Sequence, residues 1–185
     1  MKRVLLDVDG VTADFLTATL DTLVQLGGPR VPPEAIHTWD IFGSLPREWE
    51  DRIVAEWHKP NWCSSVPIYP GAREAVLRLR DIAEVVFVTT AMHGAPHWMW
   101  ERDVWLRTHL NAGGRDIIFA TAKHVVSGDV LVDDKASNVA EWHKHNPRGT
   151  AILWDRPYNR TEQVASSIVR MDSWSALEEL VQGLP

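Results

Sequence analysis

The chain has 185 residues, 45% hydrophobic and 24% charged, with a formal net charge of −6. That length suits one domain, or one domain with a modest insertion, and is enough to bury a real core; the composition excludes a disordered chain. The acidic balance and the lack of a basic run argue against a broad footprint on a nucleic-acid polymer. A small phosphorylated ligand stays open, because local positive charge and a metal can override a negative total.

The first predicted element is a buried strand over Val4–Val8, a short apolar run without alternation. It ends in two acids one residue apart, Asp7 and Asp9, where unpaired charge would be costly to bury. The apolar run breaks at Asp7, too short for a signal peptide or a membrane span. With Cys63 as the single cysteine, a reducing, cytoplasmic setting without membrane attachment is expected. Ala13–Leu26 reads as a helix stopped by Gly27, Gly28 and Pro29. The stretch from Val31 to Pro70 is rich in Pro and Trp and has no strand-like run. Within it, Leu45–Lys59 has helical spacing, with Trp49, Ile53 and Trp57 on one face.

Beyond Pro70 the pattern becomes regular. Helices are expected at Gly71–Arg80, Pro96–Leu110, Ala136–His145 and Ser173–Gln182. Strands are expected at Val85–Val88, Ile117–Phe119, Val130–Val132 and Ala151–Trp154. This alternation predicts an α/β fold with a parallel sheet covered by helices on both faces. The simplest organisation is a core of residues 1–14 and 71–185, with a small helical insertion over 15–70 after the first strand.

In open α/β sheets, ligands sit beyond the carboxyl ends of the strands. Asp7 and Asp9 follow the first strand, Thr89 and Thr90 the second, Lys123 the third, and Asp133 and Asp134 the fourth. Each has an ordinary reading alone: a turn acid, a helix cap, an exposed lysine. Gathered at one sheet edge, they suit phosphoryl transfer. Clustered carboxylates repel unless a cation joins them. An all-oxygen ligand set suits Mg²⁺, a carboxylate can serve as a covalent nucleophile, and hydroxyls with a lysine can hold phosphate oxygens. His93 and His97 lack an evident third ligand and are not expected to bind metal. The segment WDRPYNR, Trp154 to Arg160, follows a strand but suggests no role by itself.

DVDGV, Thr89, Lys123 and the Asp133–Asp134 pair resemble the ordered motifs of haloacid dehalogenase-type (HAD) phosphatases. The finer resemblance is to 5′(3′)-deoxyribonucleotidases, through DVDGVTADF, NWCSSVPIYPGAREAV and AKHVVSGDVLVDDK, with Asp134 eleven residues after Lys123. It implies a Rossmann-like HAD core with a helical cap. It also implies Mg²⁺-dependent hydrolysis of (deoxy)nucleoside monophosphates through an aspartyl-phosphate. Asp7 would be the nucleophile and Asp9 the general acid, then base. Mg²⁺ would lie on Asp7, the Asp9 backbone carbonyl and Asp134, with Asp133 in the outer shell. Thr89, Thr90 and Lys123 would hold phosphate. Phe15, Trp39 and Trp57 would line the base pocket, although Trp57 also shares a packing stripe with Trp49 and Ile53. A sugar phosphate or other small phosphorylated metabolite is the alternative substrate, and a catalytically silent nucleotide-binding module the second alternative. A homodimer is compatible with this reading.

Overall fold

A computed structural model describes residues 1–185. Its centre is a six-stranded, all-parallel sheet in the order β3-β2-β1-β4-β5-β6. The strands are β1 (Lys2–Leu6), β2 (Ala83–Thr89), β3 (Ile117–Phe119), β4 (Val130–Asp133), β5 (Thr150–Trp154) and β6 (Val169–Met171). In register, Val4, Leu5 and Leu6 of β1 face Val85, Val86 and Phe87 of β2 on one side. On the other they face Val130, Leu131 and Val132 of β4.

The apolar runs lack alternation because both faces of the sheet are buried. Side chains two apart share a face. Val4, Leu6, Val85, Phe87, Val130, Val132 and Ile152 therefore join one cluster, which is covered by residues of α4 (Ala72–Ile82), α5 (Trp98–Leu110) and α7 (Trp174–Gly183). Leu5, Val86, Val88, Leu131 and Leu153 form the opposite face, covered by Val139 and Trp142 of α6 (Ala136–His145).

The chain builds outward from β1 through β2 to β3, then returns to the other side of β1 with β4. Strand order thus reverses between β1 and β4, the position where such sheets open a crevice at their carboxyl ends. The fold class expected from the alternating pattern is the one observed. β6 was not anticipated. It is a three-residue edge strand with Val169 and Met171 partly buried and Arg170 exposed between them, so it carries no apolar run.

After β1 the chain enters a tight loop. Thr12 N–H and Ala13 N–H both donate to the Val8 carbonyl, at 2.9 and 2.8 Å. Val8, expected in the strand, therefore lies past its end, with Asp7 just before the turn and Asp9 within it. Helix α1 (Phe15–Gln25) follows, with Asp14 accepting from Thr17 N–H at 3.1 Å as its N-cap. The chain then runs through 3-10 turns to α2 (Glu50–Trp57) and α3 (Trp62–Ser65). The helix expected over Leu45–Lys59 is shorter. Pro46 precedes a 3-10 turn at Arg47–Trp49, and regular α geometry starts at Glu50.

Ile53 is fully buried against Leu16, Leu20, Leu23, Ile36, Ile41 and Leu45, with Trp49 and Trp57 at the margin. These residues form an apolar cluster distinct from the two sheet faces. The segment leaves and returns at one place. Asp14 N–H donates to the Pro67 carbonyl at 2.7 Å, and Tyr69 N–H to the Thr12 carbonyl at 2.8 Å.

Candidate active site

Asp7 and Asp134 stand on either side of the β1/β4 crevice. Lys123 sits in a 3-10 turn beyond β3 and reaches across the strand ends. Its Nζ lies 2.7 Å from Asp7 Oδ1 and 2.7 Å from Asp133 Oδ2. Asp133 is fully buried. It also accepts from Lys135 N–H at 2.8 Å and from Asn138 Nδ2 at 3.1 and 3.2 Å.

Asp134 is held from the other direction, by WDRPYNR. Tyr158 donates its hydroxyl to Asp134 Oδ2 at 2.5 Å, and Asn159 Nδ2 donates to the Asp134 carbonyl at 2.7 Å. Arg156 Nε donates to the Gly10 carbonyl at 2.5 Å, with its guanidinium 3.8 Å above the Tyr69 ring. Gly10 lies at φ +80°, and a Cβ there would collide with both the Asp134 carboxylate and the Tyr158 hydroxyl. Glycine is what allows the DVDG loop to pass under them.

One cavity of about 390 Å³ opens over this floor. Asp7, Asp9, Thr89, Thr90, Lys123 and Asp134 line it together with Phe15, Trp39 and Trp57, and Asp133 lies beneath. Thr89 is buried, and its hydroxyl has no protein partner. Thr90 donates to the Ala120 carbonyl at 3.2 Å. Phe15 and Trp57 pack as a wall with ring centroids 5.0 Å apart, backed by Phe42 at 5.3 Å from Trp57. Trp39 is half-exposed at the mouth, with the Lys135 ammonium 3.5 Å above its ring. His93 and His97 join no converging ligand group.

The electrostatics are strongly unbalanced. Burial pushes the Asp7 carboxyl well above the usual carboxylate range; Lys123 pulls it back, and Asp133 and Asp134 push it further up. Burial likewise raises Asp9, against the pull of Arg102 and then of Lys123. Burial and then Asp133 raise Asp134 to about 7. Burial works against the Lys123 ammonium, but Asp133 and Asp7 outweigh it and hold its pKa above the ordinary lysine value.

Carboxylate oxygens of Asp7, Asp133 and Asp134 lie within 4.8 Å of one another. Three acids against one ammonium leave negative charge that a hard, oxygen-seeking cation is suited to neutralise. The donor set therefore fits a divalent metal.

Several residues at or beside the cavity are not among the site residues expected from the sequence. Arg102 Nη2 lies 2.5 Å from Asp9 Oδ1, yet in sequence it is one more cation in a helix. Trp98, Phe42, Lys135 and Tyr158 also line the cavity. The position of WDRPYNR after β5 was the available hint for Tyr158 and Asn159.

The family described as 5′ nucleotidase, deoxy (pyrimidine), cytosolic type C matches residues 1–184. The chain belongs to this family. It is a phosphatase of the 5′-nucleotidase class with a HAD-type fold. The human cytosolic-type 5′(3′)-deoxyribonucleotidase is 28% identical over 181 residues, covering 94% of this chain and 89% of that protein. The mouse mitochondrial 5′(3′)-deoxyribonucleotidase is 26% identical over 183 residues, covering 94% and 81%. Among solved structures, YfnB from Bacillus subtilis, described as a candidate HAD-hydrolase and bound to magnesium, superposes with a TM-score of 0.61 at 13% identity, covering 99% of each chain. A HAD family hydrolase from Deinococcus radiodurans with bound phosphate and sodium gives 0.58 at 13% identity, covering 96% of this chain and 93% of the other. No helix is long and apolar enough to cross a membrane.

Proposed function

We propose that the protein is a Mg²⁺-dependent 5′(3′)-deoxyribonucleotidase of the cytoplasm that hydrolyses (deoxy)nucleoside monophosphates through an aspartyl-phosphate. The observation that carries this reading is Asp7. Its carboxylate is held by Lys123 at the floor of a cavity walled by Phe15 and Trp57. Residues 15–70 would form the cap over a core of 1–14 and 71–185, and the base would stack against Phe15, Trp57 and Trp39.

Asp7 attacks phosphorus and the bond to the nucleoside oxygen breaks. Asp9 gives that oxygen a proton, then takes one from the water that cleaves the aspartyl-phosphate. Burial, which raises Asp9, favours the protonated form the first step needs. Thr89, Thr90 and Lys123 hold the phosphoryl oxygens, and the unpartnered Thr89 hydroxyl is ready to do so. Asp7, Asp134 and the Asp9 carbonyl would hold Mg²⁺, with Asp133 orienting Lys123; bound there, the ion supplies positive charge for the phosphate.

A panel of 5′ and 3′ nucleotides and sugar phosphates, with and without Mg²⁺, tests the assignment. Metal-dependent release of phosphate with a clear preference for nucleotides is expected. Equal rates on sugar phosphates would overturn the nucleotide assignment.

Binding of the ion is expected to show in stability. Asp134 has a raised pKa without metal, so its proton stabilises the metal-free fold at low pH, and that contribution is lost as pH rises through about 7. Mg²⁺ needs the deprotonated carboxylate. A hundredfold excess over Kd should add about 2.7 kcal/mol, or roughly 5–10 °C in the unfolding midpoint. The shift should be larger at pH 8 than at pH 6 and be abolished by a chelator. A shift independent of pH would contradict this account. Tyr158→Phe, which removes the donor to Asp134 Oδ2, should weaken Mg²⁺ binding about 10- to 100-fold by calorimetry.

A further inference from the structure

Arg102 stands apart from the other cations of the protein. It is completely buried, and only one of its three nitrogens has an acceptor: Nη2, 2.5 Å from Asp9 Oδ1. Nε and Nη1 are buried without a hydrogen-bond partner. The guanidinium lies between two indoles of its own helix, 5.3 Å from the ring of Trp98 and 5.3 Å from that of Trp105. Those residues are four before and three after it, the spacing that places side chains on one helix face. A guanidinium stays ionised at any working pH, and burying one is costly unless an anion pairs with it. Here the partner is Asp9, whose Oδ1 can accept from Nη2 both when the carboxyl is ionised and when it carries a proton on Oδ2.

The helix that carries Arg102 is itself anchored. Glu101 accepts from Asn61 N–H at 2.6 Å and from Ser64 N–H at 3.2 Å. Trp105 Nε1 donates to the Val66 carbonyl at 2.7 Å. These bonds fix α5 against the segment that returns to the core, so Nη2 is presented to Asp9 from a rigid support. The pair engages Oδ1 and leaves Oδ2 without a protein donor, in a carboxylate that lines the cavity.

We propose that Arg102 is a positioning residue for Asp9: it fixes the carboxylate through Oδ1 so that Oδ2 is aimed at the leaving oxygen of the substrate. This deepens the proposed function and rests on it. Proton transfer is highly sensitive to such placement, because a misplacement of about 1 Å can cost 100-fold in rate. Arg102 is fully buried and does not line the cavity, so its effect should follow the need for a proton rather than the binding of substrate.

The leaving group provides the test. A nucleoside departs as an alkoxide that must be protonated as the bond to phosphorus breaks. p-Nitrophenolate departs as a stable anion and needs no proton. For both substrates kcat/KM reports formation of the aspartyl-phosphate relative to free enzyme and substrate. Arg102→Met should lower kcat/KM for a deoxynucleoside 5′-monophosphate by about 10²- to 10³-fold, in the range of general acid catalysis. The decrease for p-nitrophenyl phosphate should be under about tenfold, and KM for the nucleotide should change little. Arg102→Lys, which keeps a cation within reach of Oδ1, should recover at least about tenfold of the lost nucleotide rate.

Equal losses on both substrates would overturn the proposal and leave Arg102 a structural role. Unchanged rates on both would overturn it as well. If Arg102→Met does not fold, the nucleotide to p-nitrophenyl phosphate ratio of Arg102→Gln, which removes the cation but keeps a polar side chain, decides: a ratio below wild type supports the proposal, and an unchanged ratio overturns it. Failure of the wild-type protein to hydrolyse the nucleotide would instead overturn the proposed function, which separates the two failures.

Discussion

Asp7→Asn is expected to lower phosphatase turnover by roughly 10⁴- to 10⁶-fold, the scale seen when an enzyme loses its covalent nucleophile, while the protein stays folded. The amide has nearly the shape of the carboxylate, but it cannot attack phosphorus. Folding should be spared for an electrostatic reason. In the metal-free protein the Asp7 charge is disfavoured, first by burial and also by Asp133 and Asp134, so a neutral residue relieves repulsion. Lys123 keeps Asp133 at 2.7 Å as its counterion. The unfolding midpoint without metal should therefore be no lower than that of wild type. Near-wild-type turnover with Mg²⁺ present would exclude the aspartyl-phosphate route. A large fall in stability would show that the Asp7–Lys123 contact is structural first.

Lys123→Met is expected to cost both activity and stability. The ammonium is the buried, shared partner of Asp7 and Asp133 at the floor of the cavity. Its removal leaves buried carboxylates uncompensated, a change that typically costs about 3–5 kcal/mol. For a protein of this size that is roughly 6–20 °C in the unfolding midpoint. The sign with pH can be stated. The folded lysine has a raised pKa, so its stabilisation is complete below the unfolded lysine value and is lost only as pH rises through the folded one. The wild-type advantage should therefore be fully present at neutral pH. It should shrink in acid, where the carboxylates of the variant take up protons. Mg²⁺ should recover part of the loss by supplying the missing positive charge. Thermal unfolding followed by circular dichroism at pH 5 and 8 would check this, and a variant that unfolds within a degree or two of wild type at pH 8 would refute it.

The elements most legible in the sequence are those whose burial is uniform. β1, β2, β4 and β5 are runs of Val, Leu, Ile and Phe hidden on both faces, and such runs announce themselves without their partners. β6 depends on its neighbour: Val169, Arg170 and Met171 are a strand because β5 offers Ile152, Leu153 and Trp154 in register. The acids at the ends of β1 and β4 were legible because each pair follows directly on an apolar strand run, and parallel strands bring such ends to one edge of the sheet. Arg102 was not. It lies 93 residues from Asp9 in sequence, on a helix of Trp, Glu and Arg whose buried side could not be told from its exposed side. Tyr158 shows the same limit. Its ring joins the apolar cluster of Leu16, Leu20 and Ile36, while its hydroxyl reaches Asp134, and neither contact is local in sequence.

The aromatic wall has a practical consequence. Phe15 sits 5.0, 5.3 and 6.2 Å from the rings of Trp57, Trp62 and Trp98, and Trp57, Trp98 and Trp39 border the cavity. Indole emission responds to stacking and to the exclusion of water, so the wall that would receive a base is also an optical sensor of its arrival. Occupancy of the cavity should therefore change the ultraviolet fluorescence of the unlabelled protein through three of its ten tryptophans. Trp39, half-exposed beneath the Lys135 ammonium, would report on the mouth, and Trp57 on the interior.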